Sequence, residues 1–176
     1  MWPSFKKYQK QLEFLAERDV LTDLLNRRSF SEKLNHFLKL YHRNKRPISI
    51  LFIDIDNFKN INDTLGHTVG DIVLKRFSKL LAENSRETDL LSRWGGEEFI
   101  IAFIDTDIES ANIISNKLCG LIENDLELQR LVGSKLTASF GLSTCTVDDT
   151  EDSLISRADK AMYMAKNSGK NRVVKL

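Results

Sequence analysis

Apolar residues recur along this chain with two different periods. A spacing of three and four residues, which predicts amphipathic helices, is found over 4–17, after Ser29, up to about Glu83, over 107–123 and over 154–165. Continuous or alternating apolar runs, which are typical of strands, occupy 48–56, 89–94, 97–104, 135–145 and the closing RVVKL. After the first helix, the predicted order is helix, strand, helix, hairpin, helix, strand, helix, strand.

The helical spacing also predicts which apolar side chains face inward. These are Phe30, Leu34, Phe37, Leu38 and Tyr41; Val69, Val73, Phe77, Leu80 and Leu81; Ile108, Ala111, Ile114, Leu118 and Leu121; and Leu154, Ala158, Ala161, Met162 and Ala165.

This order of elements predicts an α/β sandwich of the α+β type, related to the split βαβ arrangement. Its central sheet is mixed and mostly antiparallel, is flanked by helices and is preceded by an N-terminal helix. The strand over 48–56 and the hairpin should lie side by side at the sheet centre. Gly95-Gly96 is predicted as a tight hairpin turn, and the polar stretch over 57–71 as a loop. A capping box of Ser29 and Glu32 should begin the helix that follows them.

The first helix has two interpretations. Phe5, Tyr8, Leu12 and Leu15 follow a and d spacing over about two heptads, which is too short for a stable coiled coil alone. The helix either packs on its own domain or is the end of a dimerising signalling helix. We divide the chain into an N-terminal helical stub or signalling-helix end, 1–18, and one domain, 19–176.

Composition narrows the class of protein. The 176 residues suffice for one domain with a sizeable core, and 26 basic against 25 acidic residues give a net charge of +1. That balance argues against a nucleic-acid partner or contact with a membrane surface. Cys119 and Cys145 lack metal-ligand spacing, and no apolar run approaches the ~20 residues of a membrane span. We expect a reduced, cytoplasmic domain, which could also be the cytoplasmic part of a larger sensor.

Carboxylates follow the most buried strand and the hairpin turn. Asp54 and Asp56 have the parity of Ile50 and Phe52, which predicts that both side chains share one face. An ionised carboxylate at the end of an apolar strand is costly unless it is paired or binds a metal. If the strand neighbours the hairpin, Asp54 converges with Glu97 and Glu98. Such a cluster suits a hard divalent cation, most naturally Mg²⁺. Neither the DxD nor the Gly-Gly pair is specific alone, so the prediction depends on their convergence.

Magnesium with few protein ligands usually holds nucleotide phosphates as well. The backbone N–H groups of Asn57, Phe58 and Lys59 could cradle phosphate oxygens, and the Lys59 side chain could contact them. Lys166 and Lys170, one helical turn apart, also suit a triphosphate. The alternatives are a solvated loop lysine at 59 and two lysines favoured by the helix dipole.

Asn62 and Asp71 flank the predicted start of a helix at Gly66–Gly70. Asp71 either caps that helix or accepts hydrogen bonds from both N1–H and N2–H₂ of guanine. Adenine cannot offer this pair of donors, so a site of the second kind would discriminate strongly between the two bases.

Five blocks together resemble the GGDEF-domain diguanylate cyclases: DVLTDLLNRRSF, FIDIDNFKNINDTLGHTVGD, LLSRWGGEEF, TASFGLS and ADKAMYMAKNSGKNRV. They occur in family order over residues 19 to 174. The resemblance implies a nucleotidyl-cyclase palm fold and the condensation of two GTP to cyclic di-GMP with release of two pyrophosphates. It also implies an active homodimer, because each domain holds one GTP.

The resemblance also implies roles for individual residues. Asp54, Glu97 and the main-chain carbonyl of Ile55 would bind Mg²⁺ or Mn²⁺, and Glu97 would be the base for the ribose 3′-hydroxyl. Glu98 would assist either at the metal or at that proton. The residues expected at the nucleotide are Asn62 and Asp71 on guanine, His67 close by, and Lys59, Lys166 and Lys170 on the phosphates.

The RETD stretch, Arg86 to Asp89, matches the family's RxxD product-inhibition site. Arg86 could form a fork onto guanine O6 and N7, and Asp89 could accept from another guanine edge. The alternative is a surface ion pair. Two positions depart from the family pattern: Asp23 replaces a usual glycine, and Lys170 replaces a frequent arginine, keeping the charge but not the bidentate geometry.

Two other functions stay open at this point. A non-catalytic module of the family could bind GTP or cyclic di-GMP as a receptor, although the acidic residues that such modules usually lose are present here. A relative that makes an adenine-containing dinucleotide is disfavoured by Asp71.

Overall fold

The computed structural model describes residues 16–176, which form helices and strands in mixed order. The helices are α1 (Arg27–Asn44), α2 (Phe58–Leu65), α3 (His67–Glu83), α4 (Ile108–Glu123), α5 (Leu126–Val132) and α6 (Glu151–Asn167). The strands are β1 (Ile48–Ile55), β2 (Leu90–Arg93), β3 (Glu98–Ile104), β4 (Ala138–Thr144) and β5 (Arg172–Lys175).

One mixed sheet contains these strands in the order β2-β3-β1-β4-β5. Strand β1 lies at the centre and pairs antiparallel with both β3 and β4, while β4 and β5 are parallel. All eight residues of β1 are buried, as its continuous apolar run predicts. The predicted α+β class and the neighbouring positions of β1 and the hairpin are confirmed.

Helices cover both faces of the sheet because alternate residues of β1 point in opposite directions. Ile50 and Phe52 pack with side chains of α1 and α6, whereas Leu51 and Ile53 pack with side chains of α3 and α4. The predicted inward stripes of α3 and α6 are confirmed. On α4 the prediction of Leu121 is wrong: Leu121 is exposed and Ile122 is buried.

The observed helices differ from the predicted ones at three further places. The predicted loop over 57–71 is two helices, α2 and α3, which meet at Gly66 with φ 86°. Helix α2 has few apolar residues, and its one buried side chain, Phe58, gave too little periodicity to detect. Helix α5 was not predicted, because it is too short to show a helical period. Helix α1 begins after Asn26, whose side chain accepts from the Ser29 N–H, so the predicted capping box is wrong.

Both thiols are free, as predicted, with Cys145 buried and Cys119 half-buried. Burial raises the pKa of each to about 11. The predicted helix with Phe5, Tyr8, Leu12 and Leu15 lies outside the described residues. Within residues 16–176, no helix is both long and apolar enough to cross a bilayer.

Candidate active site

Two carboxylates face each other across the central strands. The register of β1 and β3 places Asp54 directly opposite Glu98, so both side chains lie on the sheet face of Phe52. The Ile55 N–H donates to the Glu97 carbonyl oxygen at 3.3 Å, which continues the pairing into the turn. Asp54 is 5 % exposed, and Glu97 and Glu98 are half-buried. The predicted convergence therefore centres on Asp54 and Glu98, with Glu97 next to them in the turn.

The turn between β2 and β3 is longer than predicted. Residues 94–97 connect the strands, and the Trp94 and Gly95 N–H groups both donate to the Glu98 carbonyl, at 2.8 and 3.3 Å. Gly95 leaves space for the Glu98 carboxylate in its present position: a Cβ at residue 95 would lie 2.6 Å from Glu98 Oε2. The glycine thus lets the Glu98 carboxylate fold back against the turn.

Lys166 provides a cation that sequence proximity did not reveal. Its Nζ lies 2.7 Å from Asp54 Oδ1 and forms an ion pair from the end of α6. Burial raises the pKa of Asp54, as do the charges of Glu97 and Asp56, and Lys166 opposes this shift. The pKa of Glu98 is also raised, first by burial and then by Asp54 and Asp159. Lys166, which is distant in sequence from the carboxylates, is thus adjacent to them in the fold.

The donor set fits a divalent cation only in part. Asp54 Oδ1 is buried and, among the described residues, accepts no hydrogen bond of ordinary geometry, although Lys166 neutralises its charge. Over residues 16–176 no group of three His, Cys, Asp or Glu side chains could hold a metal by itself. The carboxylates fit a hard cation that takes its remaining oxygens from phosphates, carbonyls or water.

Asp56 has a different environment from Asp54. Its Oδ1 accepts from Ser139 Oγ, and its Oδ2 accepts from Thr137 Oγ1, both at 2.7 Å. The Asn171 N–H also donates to Oδ2, at 3.2 Å. Both oxygens are therefore occupied by donors from β4, the residues before it and the chain that enters β5.

The residues predicted to cradle phosphates lie at a helix start rather than in a loop. Asn57 is the residue before α2 and has φ 58°. The first N–H groups of a helix have no intrahelical acceptors, and the Asn57 side chain does not cap them here. Lys59 is exposed in this first turn. Lys170 Nζ donates to Asn57 Oδ1 at 2.6 Å. Of the two lysines predicted at the end of the last helix, Lys166 lies on α6 next to Asp54, whereas Lys170 lies after α6 and contacts Asn57.

The predicted base-reading residues lie around the junction of α2 and α3. Asp71 lies inside α3 and not at its first residues, so it does not cap that helix. His67 and Asp71 are exposed, and Asn62 is half-buried. A Cβ at Gly70 would lie 1.9 Å from Asn62 Oδ1, so the glycine makes room for the Asn62 amide.

Arg86 and Asp89 belong to one turn before β2. The Arg86 N–H donates to Asp89 Oδ2 at 2.9 Å, and the Asp89 N–H donates to the Arg86 carbonyl at 3.0 Å. The Arg86 side chain is exposed, and burial raises the pKa of Asp89. Both hydrogen bonds use the backbone of Arg86, so neither involves its guanidinium.

Sequence reasoning missed the residues that hold the turn. Arg93 donates to the Gly96 carbonyl through Nη2 at 2.8 Å and Nε at 3.1 Å. Its Nη1 lies 3.4 Å from the Asp19 carboxylate, which also accepts from the Thr22 N–H and hydroxyl. Arg93 therefore ties the turn to the segment that precedes α1. No periodicity marks these residues; only their place in two of the resembling blocks could have drawn attention to them.

A cavity of about 500 Å³ opens next to Glu98, between α1 and α6. Phe52 and Trp94 form its apolar wall, and the Arg27 guanidinium lies 4.2 Å from the centre of the Trp94 ring. Asp159 contributes a further acidic group. The cavity gives the Glu98 carboxylate an opening to solvent.

Comparison with known proteins identifies the family. The model of the family described as "Diguanylate cyclase, GGDEF domain" matches residues 16–172. The chain belongs to this family. A GGDEF relative, the response regulator PleD of Caulobacter vibrioides, is 41% identical over 164 residues, which are 91% of this chain and 36% of PleD. The diguanylate cyclase DgcZ of Escherichia coli K12 is 36% identical over 92% of this chain and 54% of its own length. The chain thus spans about a third to a half of these relatives.

Solved GGDEF structures share the fold. The coiled coil and GGDEF domain of DgcB from Caulobacter crescentus, in complex with c-di-GMP, has a TM-score of 0.90 at 24% identity and covers 98% of this chain and 92% of its own. The active GGEEF domain of a diguanylate cyclase from Vibrio cholerae has a TM-score of 0.79 at 31% identity and covers 86% and 97%. These likenesses confirm the mixed sheet flanked by helices.

Proposed function

We propose that this GGDEF domain is an active diguanylate cyclase that condenses two GTP into cyclic di-GMP and releases two pyrophosphates. The observation that carries the proposal is the position of Asp54 opposite Glu98, with Glu97 beside them and the uncapped start of α2 following directly. Acidic groups and free N–H donors thus lie at the same end of β1. This is what a metal–triphosphate complex requires.

Asp54 and Glu97, with the Ile55 carbonyl, are the proposed ligands of Mg²⁺ or Mn²⁺. When bound, the ion supplies neutralising charge for the phosphates and acidifies a coordinated hydroxyl. The half-buried Glu97 receives the proton of the ribose 3′-hydroxyl. Glu98, held against Gly95, keeps negative charge next to Asp54 and favours cation binding there.

The remaining residues orient GTP. The N–H groups of Asn57, Phe58 and Lys59 contact the phosphates, together with the Lys59 and Lys170 ammonium groups. Lys166 moves from Asp54 to the triphosphate when a divalent cation takes its place. Guanine lies between Asn62 and Asp71, with His67 near the nucleotide. The Asp71 carboxylate, exposed inside α3, accepts from the two adjacent guanine donors.

Activity requires two copies of the domain, since each contributes one GTP. Residues 19–176 would form the catalytic domain, with residues 1–18 as a separate N-terminal stub. The exposed Arg86 and the half-buried Asp89 would bind the product and inhibit turnover. PleD and DgcZ support the family assignment of the site but not these finer roles.

The proposal is tested by incubation of the chain with GTP and Mg²⁺ while pyrophosphate and cyclic dinucleotide are measured. We expect one cyclic dinucleotide for every two pyrophosphates from GTP, and no dinucleotide from ATP alone. A dimer that binds GTP and forms no product would support the receptor function. A mixed product in GTP–ATP competition would contradict the role of Asp71.

A further inference from the structure

Three consecutive residues after α6 have left-handed backbone conformations. Gly169, Lys170 and Asn171 have φ values of 110°, 62° and 47°. Lysine in this region is disfavoured by contacts of its Cβ, so surrounding interactions must hold the segment. Lys170 is also the lysine that reaches the phosphate cradle.

Asp56 provides the side-chain contact that holds this segment from β1. Its Oδ2 accepts the Asn171 N–H at 3.2 Å, one residue after Lys170. The carboxylate is 5 % exposed and is itself fixed by the hydroxyl groups of Thr137 and Ser139. The Lys170 N–H donates to the Ala165 carbonyl at 3.0 Å, so the segment is held from the α6 side as well.

Asp56 also fixes the other half of the cradle. Its N–H donates to the Thr137 carbonyl at 2.9 Å, and its chain continues directly into Asn57, the start of α2. The Lys170 ammonium meets Asn57 Oδ1 at 2.6 Å. A single buried residue therefore connects the helix start that offers N–H groups to the segment that carries the ammonium.

We propose that Asp56 is a positioning residue that aims Lys170 at the triphosphate, and that it is not a metal ligand. The inference rests on the proposed GTP site and deepens it. Each Asp56 oxygen already accepts a hydroxyl hydrogen bond, from the buried Ser139 and the half-buried Thr137, and Oδ2 also accepts the Asn171 N–H, so a cation at Asp56 would compete with three donors. Asp54 Oδ1 accepts no hydroxyl or backbone hydrogen bond and faces only the Lys166 ammonium, which a cation could replace, so the DxD divides into a ligand and a support.

The experiment compares Asp56→Asn with Asp56→Ala. An asparagine can keep its oxygen toward Asn171 and Thr137 and donate its amide to Ser139 Oγ, so it preserves the support without the charge. Binding is measured with 3′-deoxy-GTP, which lacks the attacking hydroxyl, and KM and kcat are measured with GTP. We expect Asp56→Ala to weaken 3′-deoxy-GTP binding and raise KM by about 10-fold, the loss typical of a charge-assisted contact, with kcat little changed. Asp56→Asn should stay within about 3-fold of the wild type.

A double-mutant cycle tests whether Asp56 affects binding by positioning Lys170. On a Lys170→Ala background, Asp56→Ala should weaken binding no further, because the ammonium it positions is absent. Equal weakening on both backgrounds would overturn the proposal. So would a loss of activity in Asp56→Asn that raised magnesium recovers, which would make Asp56 a metal ligand.

Asn171→Ala provides a second variant in case Asp56→Ala does not fold. It leaves Asp56 in place and removes a side chain that tolerates the left-handed conformation and that accepts from Cys119 Sγ at 3.5 Å through Oδ1, so it should loosen the same segment and raise KM. Unchanged KM in a folded Asn171→Ala protein would contradict the positioning role. If the wild type does not bind 3′-deoxy-GTP at all, the proposed function fails; if it binds and Asp56→Ala binds equally well, only this inference fails.

Discussion

Asp54 and Lys166 form an ion pair, with 2.7 Å between Oδ1 and Nζ, at the point where two adjacent strands bring acidic groups together. The Asp54 side chain is 7% exposed and that of Lys166 31%, so the pair lies at the boundary between core and solvent. The ammonium supplies the positive charge that a divalent cation would supply. Asp54 is therefore neutralised both with and without a metal, and the cost of its burial is offset in either state.

Replacing Lys166 by methionine should make stability more dependent on pH. Burial already raises the pKa of Asp54 above 3.8, so the folded state binds more protons than the unfolded state in the window above 3.8, and stability falls as pH rises through it. Without Lys166 the pKa of Asp54 rises further, and the pH range over which stability falls becomes wider. We expect a loss of about 1–3 kcal/mol near pH 7, discounted for the partial exposure of the lysine, and a smaller loss near pH 4.5.

Urea unfolding of Lys166→Met and the wild type between pH 4.5 and 8 would measure this difference. Lys160→Met is a matched control, since Lys160 is exposed on the same helix. A gap between Lys166→Met and wild type that stays constant with pH would show that the lysine stabilises the fold through its aliphatic part alone.

Glu97→Gln should abolish cyclic di-GMP formation and leave the fold intact. The amide keeps the shape of the side chain but can neither accept the 3′-hydroxyl proton nor bind a cation well, and removal of a general base typically costs about 10²–10⁴-fold in rate. Product is measured from GTP, and folding by thermal unfolding. Asp148→Asn is the control, because Asp148 is exposed beyond the Thr144 end of β4, opposite to Asp54. Retained activity would remove Glu97 from the mechanism.

Arg86→Ala should relieve product inhibition. Loss of a guanidinium fork on guanine costs about 1–3 kcal/mol, so the inhibition constant for cyclic di-GMP should rise about 10- to 100-fold, with the initial rate unchanged. Glu87→Ala, in the same exposed turn, should leave the constant as it is. An inhibition constant unaffected by the arginine substitution refutes the site.

Asp149→Asn should destabilise the domain at neutral pH more than in acid. Asp149 is 7 % exposed; burial raises its pKa, but Arg157, Thr146 and Ser153 outweigh this and hold the pKa well below 3.8. A depressed pKa contributes stability that is present above 3.8 and is lost as pH falls toward the folded value. We expect a loss of about 2–4 kcal/mol at pH 7 in denaturant unfolding. The difference in free energy of unfolding between Asp149→Asn and the wild type should become smaller below pH 4. A larger difference there would contradict the depressed pKa of Asp149.

Much of the fold could be predicted because periodicity and burial have the same cause. The stripe of α6 and the unbroken apolar run of β1 predict a buried helix and a buried central strand, and both are present. Helix α2 could not be predicted in the same way, because it buries only Phe58. Its conformation depends on where β1 ends and on the packing of α3, and neither leaves a pattern in the residues of α2 itself.

For the candidate site, residue order alone shows which side chains are available: Asp54 after a buried strand, two glutamates after a Gly-Gly turn, and lysines near the end of the last helix. Side-chain chemistry and strand parity are local properties, so they can be deduced from residue order. Three relationships are visible only in the folded domain: Glu98 opposes Asp54, Lys166 neutralises Asp54, and Asp56 contacts the segment that carries Lys170. These relationships join residues far apart in the chain, and their geometry follows from strand register and helix packing, which depend on the whole core rather than on any local stretch.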